Sequence, residues 1–200
     1  MNTQETAMKP ERPKRFWLRR IIRRFCRSED GASAIEFAFL AFPYFLVVFA
    51  IIETFLAFTA EQLLSNGVDT MARRLRTGQI TFNMNRITDM NTAAEFRSAF
   101  CDEITILITC SPAERTAPDR LYVDLRSFTS FAAMAQQGIA VVSHYNPGGP
   151  GTMNMLRIYY RWHVLTDLVR PYITNYQGGG GLPREFLMVA TTAFQNEAYP

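Results

Sequence analysis

Sixteen consecutive uncharged residues, Phe37 to Ile52, followed after Glu53 by a second uncharged run from Thr54 to Ala60, constrain this chain more than any other feature. A helix rising 1.5 Å per residue needs about 20 residues to cross roughly 30 Å of hydrocarbon, and the stretch from Ala34 to Phe58 supplies them. One transmembrane helix is therefore expected. Two carboxylates mark its ends, Glu36 near the start and Glu53 near the close. A charge at membrane depth costs roughly 2.5–3.5 kcal/mol, so each of them needs a physical reason.

Charge decides the orientation. Residues 1–31 hold nine lysines and arginines against four acids, a balance of +5, whereas residues 32–200 hold twelve arginines, no lysine and fourteen acids, a balance of −2. Arg19, Arg20, Arg23, Arg24 and Arg27 crowd the N-terminal flank, while the far flank opens with Glu61 and Asp69. By the positive-inside rule the N-terminus is cytoplasmic and the chain beyond residue 60 is exported. A cleaved secretory signal fits less well. The apolar stretch exceeds the usual 7–15 residue core, and a cut after Ala60 would put Phe58 where a small residue belongs.

Within the arm, Trp17, Ile21 and Phe25 recur at helical spacing among arginines, the pattern of an amphipathic helix on an anionic leaflet. A basic block beside a membrane helix is a topology and lipid-surface signal, so no nucleic-acid partner is expected. Beyond the membrane, Leu64, Val68, Met71, Ala72 and Leu75 keep helical spacing, which predicts one continuous helix over residues 33–77. Arg73, Arg74 and Arg76 suit its C-terminal dipole and Gly78 its end, with Pro43 and Gly67 as weak points. A second helix starts at a capping box, Thr92 and Glu95, with Phe96, Phe100 and Ile104 on one stripe.

Cys26 lies in the arm, whereas Cys101 and Cys110 fall on the exported side, where a disulfide persists. An unbroken helix would hold these two about 13 Å apart, so pairing demands a turn before Cys110. The period then changes. Residues 121–125, 138–145, 155–165 and 184–194 are rich in β-branched and aromatic residues between turn signals, which predicts four strands in a mostly antiparallel sheet.

Little in the chain suggests chemistry. There are two histidines, His144 and His163, no CxxC, no G-x-S-x-G, and neither glycine-rich segment (146–151 or 175–183) is followed by the Lys and Ser/Thr of a phosphate loop. Asp124 and Asp167 are read as surface or turn residues, and His163 as a structural residue on a packed face. No catalytic residue, metal ligand, cofactor or small-molecule substrate is expected.

The segment "RSEDGASAIEFAFLAFPYFLVVFAIIETFLAFTAEQLLSNGVDTMARRLRTGQ", residues 27–79, resembles the N-terminal region of TadE-like proteins, pseudopilins of the tight-adherence (Flp, type IVb) pilus system. "FRSAFCDEITILITC", "LYVDLRSF" and "TTAFQNEAYP" are similar to recurring segments of the same family. The resemblance implies a prepilin that an intramembrane aspartyl peptidase cuts between Gly31 and Ala32, with Glu36 as the fifth mature residue and Phe37 beside it in the recognised segment. In pilins the acid at that position is thought to pair with the N-terminal amine of a neighbouring subunit. Gly31 has no side chain to obstruct an extended backbone in a protease cleft, and Ala32, Ser33 and Ala34 are small. Glu53 either faces a partner helix or sits at the outer interface, and its position favours the second.

The expectation is thus an α+β, pilin-like chain: a basic cytoplasmic leader over 1–31, a transmembrane helix over 32–60 and an exported domain over 61–200. Its implied partners are the prepilin peptidase, other pseudopilins or pilins, the pilus secretion machinery and the inner membrane, with the C-terminal domain periplasmic. The rival is an uncleaved, single-pass anchored scaffold or adhesion protein that keeps its arm.

Overall fold

A computed structural model describes residues 29–164, 166, 170–177 and 184–199, with backbone alone for residues 29–32. The amphipathic arm with Trp17, Ile21, Phe25 and Cys26, as well as Asp167, lies outside the described residues. The chain divides into two units, Met1–Val48 and Phe49–Pro200.

Helix α1, Glu29–Arg76, belongs partly to each unit and is continuous through Pro43 and Gly67. It begins earlier than residue 33, at two acids that favour the positive end of a helix dipole. Arg73, Arg74 and Arg76 close it. The chain then reverses through Gly78 at φ +72°, where a side chain would also meet the Tyr199 ring at 2.7 Å. Handedness and close approach both require glycine there.

The core of the second unit is built on one stripe of α1. Ala57, Ala60, Leu64, Val68, Met71 and Leu75 are buried, at the 3–4 residue spacing of a single helix face. Against them packs helix α2, Ala93–Glu103, through Phe96 and Phe100. Its capping box is complete: Thr92 Oγ1 accepts from Glu95 N–H (3.2 Å) and Glu95 Oε2 accepts from Thr92 N–H (3.0 Å). The helix ends at Glu103 and the chain turns, bringing the Cys101 and Cys110 Cα atoms to 5.9 Å, with the sulfurs at disulfide distance. Reduction of this pair is expected to lower stability by roughly 2.5 kcal/mol, since it frees a short loop in the unfolded chain. Denaturant titration with and without reductant checks the shift.

At Gly67 the two helices nearly touch. A Cβ there would lie 2.8 Å from Ile104 Cγ2 and 3.2 Å from Phe100 Cε2. Gly67→Ala is therefore expected to cost about 1–3 kcal/mol through overpacking, against the ~1 kcal/mol that alanine gains in helix propensity. A measured stabilisation would show that α2 can retreat without loss.

After the short helix α3, Pro112–Thr116, come strand β1, Leu121–Phe128, helix α4, Phe131–Ala135, and strands β2, His144–Asn146, and β3, Met153–Trp162. Helix α5, Arg170–Ile173, and strand β4, Phe186–Gln195, complete the order. The sheet runs β2-β1-β3-β4. β1 pairs antiparallel with β3 (Val123 opposite Ile158) and β3 antiparallel with β4 (Ile158 opposite Ala190), which stacks the apolar positions on one face above α1 and α2. β2 is parallel to β1, so the sheet is mixed, within an α+β fold.

Three expectations are corrected. Of residues 138–145 only the last two enter a strand, because upstream groups bond elsewhere: Gly138 C=O accepts from Arg157 Nη1 (3.0 Å), and Ser143 Oγ donates to Val123 C=O (3.3 Å). Asp124 is buried, not superficial, and accepts from Arg126 Nε at 2.6 Å. It stands on the second face of the sheet, which is also closed over Met155 and Tyr159. His163 follows the end of β3 and is exposed rather than packed.

Candidate functional site

The first unit carries the implied processing and packing residues on the early turns of α1. Every described residue from Ser33 to Phe39 is exposed, with Phe37 at 70%, Phe39 at 78% and Leu40 at 74%. Tyr44, Phe45 and Val47 continue the surface. At about 25 cal/mol per Å² of apolar area, such side chains are strongly driven out of water. Ser33–Arg76 is the one helix among the described residues that is long and apolar enough to cross a membrane. Its apolar window is not covered by the protein itself.

Glu36 is exposed on this apolar surface and has no partner among the described residues. It sits four residues, about one turn, after Ala32. The Gly31–Ala32 bond lies in the first helical turn instead of an extended segment. That turn is the easiest part of a helix to open, because its N–H groups have no partner in a preceding turn. A cut there would leave an ammonium at Ala32, at the positive end of the dipole, where a cation is disfavoured by about 0.3–1 kcal/mol.

Glu53, in the second unit, behaves differently. It is 3% exposed, and Thr166 Oγ1 donates to its Oε2 at 3.3 Å. The segment after β3 thus reaches the helix through Thr166, and the carboxylate is buried within the second unit. The signal was present in the sequence, since Glu53 precedes Ala57, Ala60 and Leu64 on the buried stripe. Among the described residues no group of three or more His, Cys, Asp or Glu is gathered to hold a metal ion.

Residues 31–73 match the family model described as TadE-like protein, beginning at Gly31 and containing Ala32, Glu36 and Phe37. This segment is similar to that family. The TadE-like match ends within α1, before α2 and the sheet, so "FRSAFCDEITILITC", "LYVDLRSF" and "TTAFQNEAYP" lie beyond it. No curated protein and no solved structure matches the chain.

Proposed function

We propose that the protein is a minor pseudopilin of the tight-adherence (Flp, type IVb) pilus system, cut by a prepilin peptidase between Gly31 and Ala32. The observation that carries this reading is the TadE-like match starting at Gly31, on a helix whose following turns present Glu36 amid exposed aromatic and aliphatic side chains. Before processing, the basic arm keeps the N-terminus cytoplasmic and the second unit is periplasmic. Cleavage removes +5 of charge and frees an amine. The apolar face of α1 then packs in the inner membrane against helices of other pseudopilins or pilins. Glu36 sets their register by pairing with a neighbouring Ala32 amine, an interaction better suited to specificity than to net stability. The protein acts by assembly with the secretion machinery, with no catalysis, cofactor, small-molecule substrate or nucleic acid of its own.

Intact mass and N-terminal sequencing of the protein from cells with and without prepilin peptidase test this directly. The expected product begins "ASAIEF" only where peptidase is present. An arm that survives active peptidase would overturn the reading in favour of an anchored scaffold.

A further inference from the structure

At one end of the sheet Arg120, Trp162 and Phe186 form a row across β1, β3 and β4. Arg120 C=O accepts from Arg161 N–H (3.0 Å), and Trp162 stands opposite Phe186. Two cavities adjoin this row. The first, about 250 Å³, is lined by Thr54, Ala57, Phe58, Glu61, Ile173 and Phe186. Glu61 is the one charged side chain among these described residues, and the Thr54 hydroxyl already donates to Ala50 C=O (2.8 Å). An apolar cavity of about 150 Å³ stays dry and takes a hydrocarbon ligand, and this one is larger.

The second cavity, about 300 Å³, is lined by Arg120, Tyr160, Trp162 and His163. Among the described residues its wall offers hydrogen-bond donors and no carboxylate. The acids near Arg120 are engaged elsewhere: Glu114 Oε1 accepts from Arg120 N–H (3.1 Å), and Asp119 faces the Arg161 guanidinium (3.8 Å). Arg120 and His163 are exposed, while Trp162 Nε1 is buried without an acceptor. A donor in that state is costly until an acceptor reaches it.

Both cavities belong to the second unit, which carries the last part of the uncharged run. Ile51, Ile52, Phe55 and Phe58 are exposed there, and Tyr172, beside Ile173, is 87% exposed. Tryptophan and tyrosine concentrate where hydrocarbon gives way to headgroups, and an arginine fork at that level matches phosphate.

We propose that this end of the sheet holds one glycerophospholipid, its phosphate against Arg120, Trp162 and His163 and an acyl chain in the cavity beside Phe58 and Phe186. Arg120 and Phe186 lie two strand spacings apart, roughly 10 Å, a separation that one such lipid spans between phosphate and first chain carbons. Charge complementarity selects the head, and continuity of the cavity with the exposed apolar side chains of α1 selects the tail. The inference rests on the reading of α1 as membrane-spanning, which the pseudopilin and the anchored scaffold share.

Native mass spectrometry of the full chain, in a detergent without phosphate, tests the site with phosphatidylglycerol, with diacylglycerol of the same chains and with inorganic phosphate. One phosphatidylglycerol per chain is expected, bound at least about tenfold more tightly than diacylglycerol, because charge-assisted bonds to phosphate are lost with the head. Arg120→Gln and Thr54→Phe, which fills the apolar cavity from an exposed position, are each expected to weaken it at least about tenfold without moving the thermal midpoint. Arg86→Gln, in the turn after α1, serves as the charge control and leaves binding unchanged. In a Trp17→Phe background Trp162 is the sole tryptophan, and its emission is expected to be quenched by phosphatidylglycerol brominated on its chains. Equal affinity for diacylglycerol, binding of inorganic phosphate without lipid, unquenched emission, or an adduct that survives both cavity substitutions overturns the proposal. A dimer that forms in place of the adduct overturns it in favour of a second chain. Carbonate extraction of the same cells separates the failures: an embedded chain without the adduct sinks this inference alone, and an extracted chain sinks the membrane-spanning reading.

Discussion

Phe100→Ala is expected to lower the unfolding free energy by about 3–5 kcal/mol, a large part of the ~5–15 kcal/mol that holds a domain of this size. Phe100 is fully buried between α1 and the remainder of α2, with its ring edge against Gly67. Truncation removes the ring and leaves a void that cannot close easily. The α1 backbone is already in near contact with Ile104, and α2 is tied at one end by its capping box and at the other by the Cys101–Cys110 pair. Denaturant titration of the detergent-solubilised chain measures the loss as a lower midpoint with an unchanged slope. The Gly67→Ala/Phe100→Ala double variant is expected to cost less than the two single changes together, because the added methyl occupies part of the vacated volume. A loss below about 1 kcal/mol for Phe100→Ala would mean that α2 contributes little to the core.

On the proposed pseudopilin reading, Glu36→Gln is expected to leave the cut after Gly31 intact and to reduce fibre assembly more than about a hundredfold. Removing one member of a desolvated ion pair leaves the other charge uncompensated, at a cost of about 3–5 kcal/mol. In the proposed assembly the orphan is the Ala32 amine of the neighbouring subunit, close to the hydrocarbon and at the positive end of its α1. Glutamine keeps the size and a hydrogen-bonding oxygen but not the charge. The measurement pairs N-terminal sequencing, for processing, with surface fibre yield, for assembly. Normal yield with normal processing would remove Glu36 from the packing mechanism, and loss of processing would make it a recognition residue instead.

Much of the fold was legible in the sequence because its signals are local. Helix α1 is declared by its apolar run and by its stripe from Leu64 to Leu75, α2 by a capping box, and the cysteine pair by two cysteines on the side read as exported. Strands β1, β3 and β4 follow from β-branched and aromatic runs between turn residues. The segment around Ile139 and Val142 shows where this fails. Its composition is that of a strand, but its hydrogen bonds go to Arg157 and Val123, residues a sequence window cannot place beside it.

The implied site divides in the same way. Gly31, Ala32, Glu36 and Phe37 are neighbours along the chain, so a motif could find them, and the TadE-like match covers all four. Glu53, Asp124 and Gly67 owe their roles to partners distant in sequence: Thr166, the closed second face of the sheet, and Ile104 with Phe100. By itself the sequence determined that an apolar helix with a carboxylate in its first turns leads into an α+β unit, because helical period, caps and charge asymmetry act within a few residues. Only the tertiary structure decided that β2 runs parallel, that Glu53 is covered, and that Asp124 lies on a closed second face of the sheet. Those outcomes depend on which distant main-chain and side-chain groups meet, and pairing of that kind leaves no periodic trace.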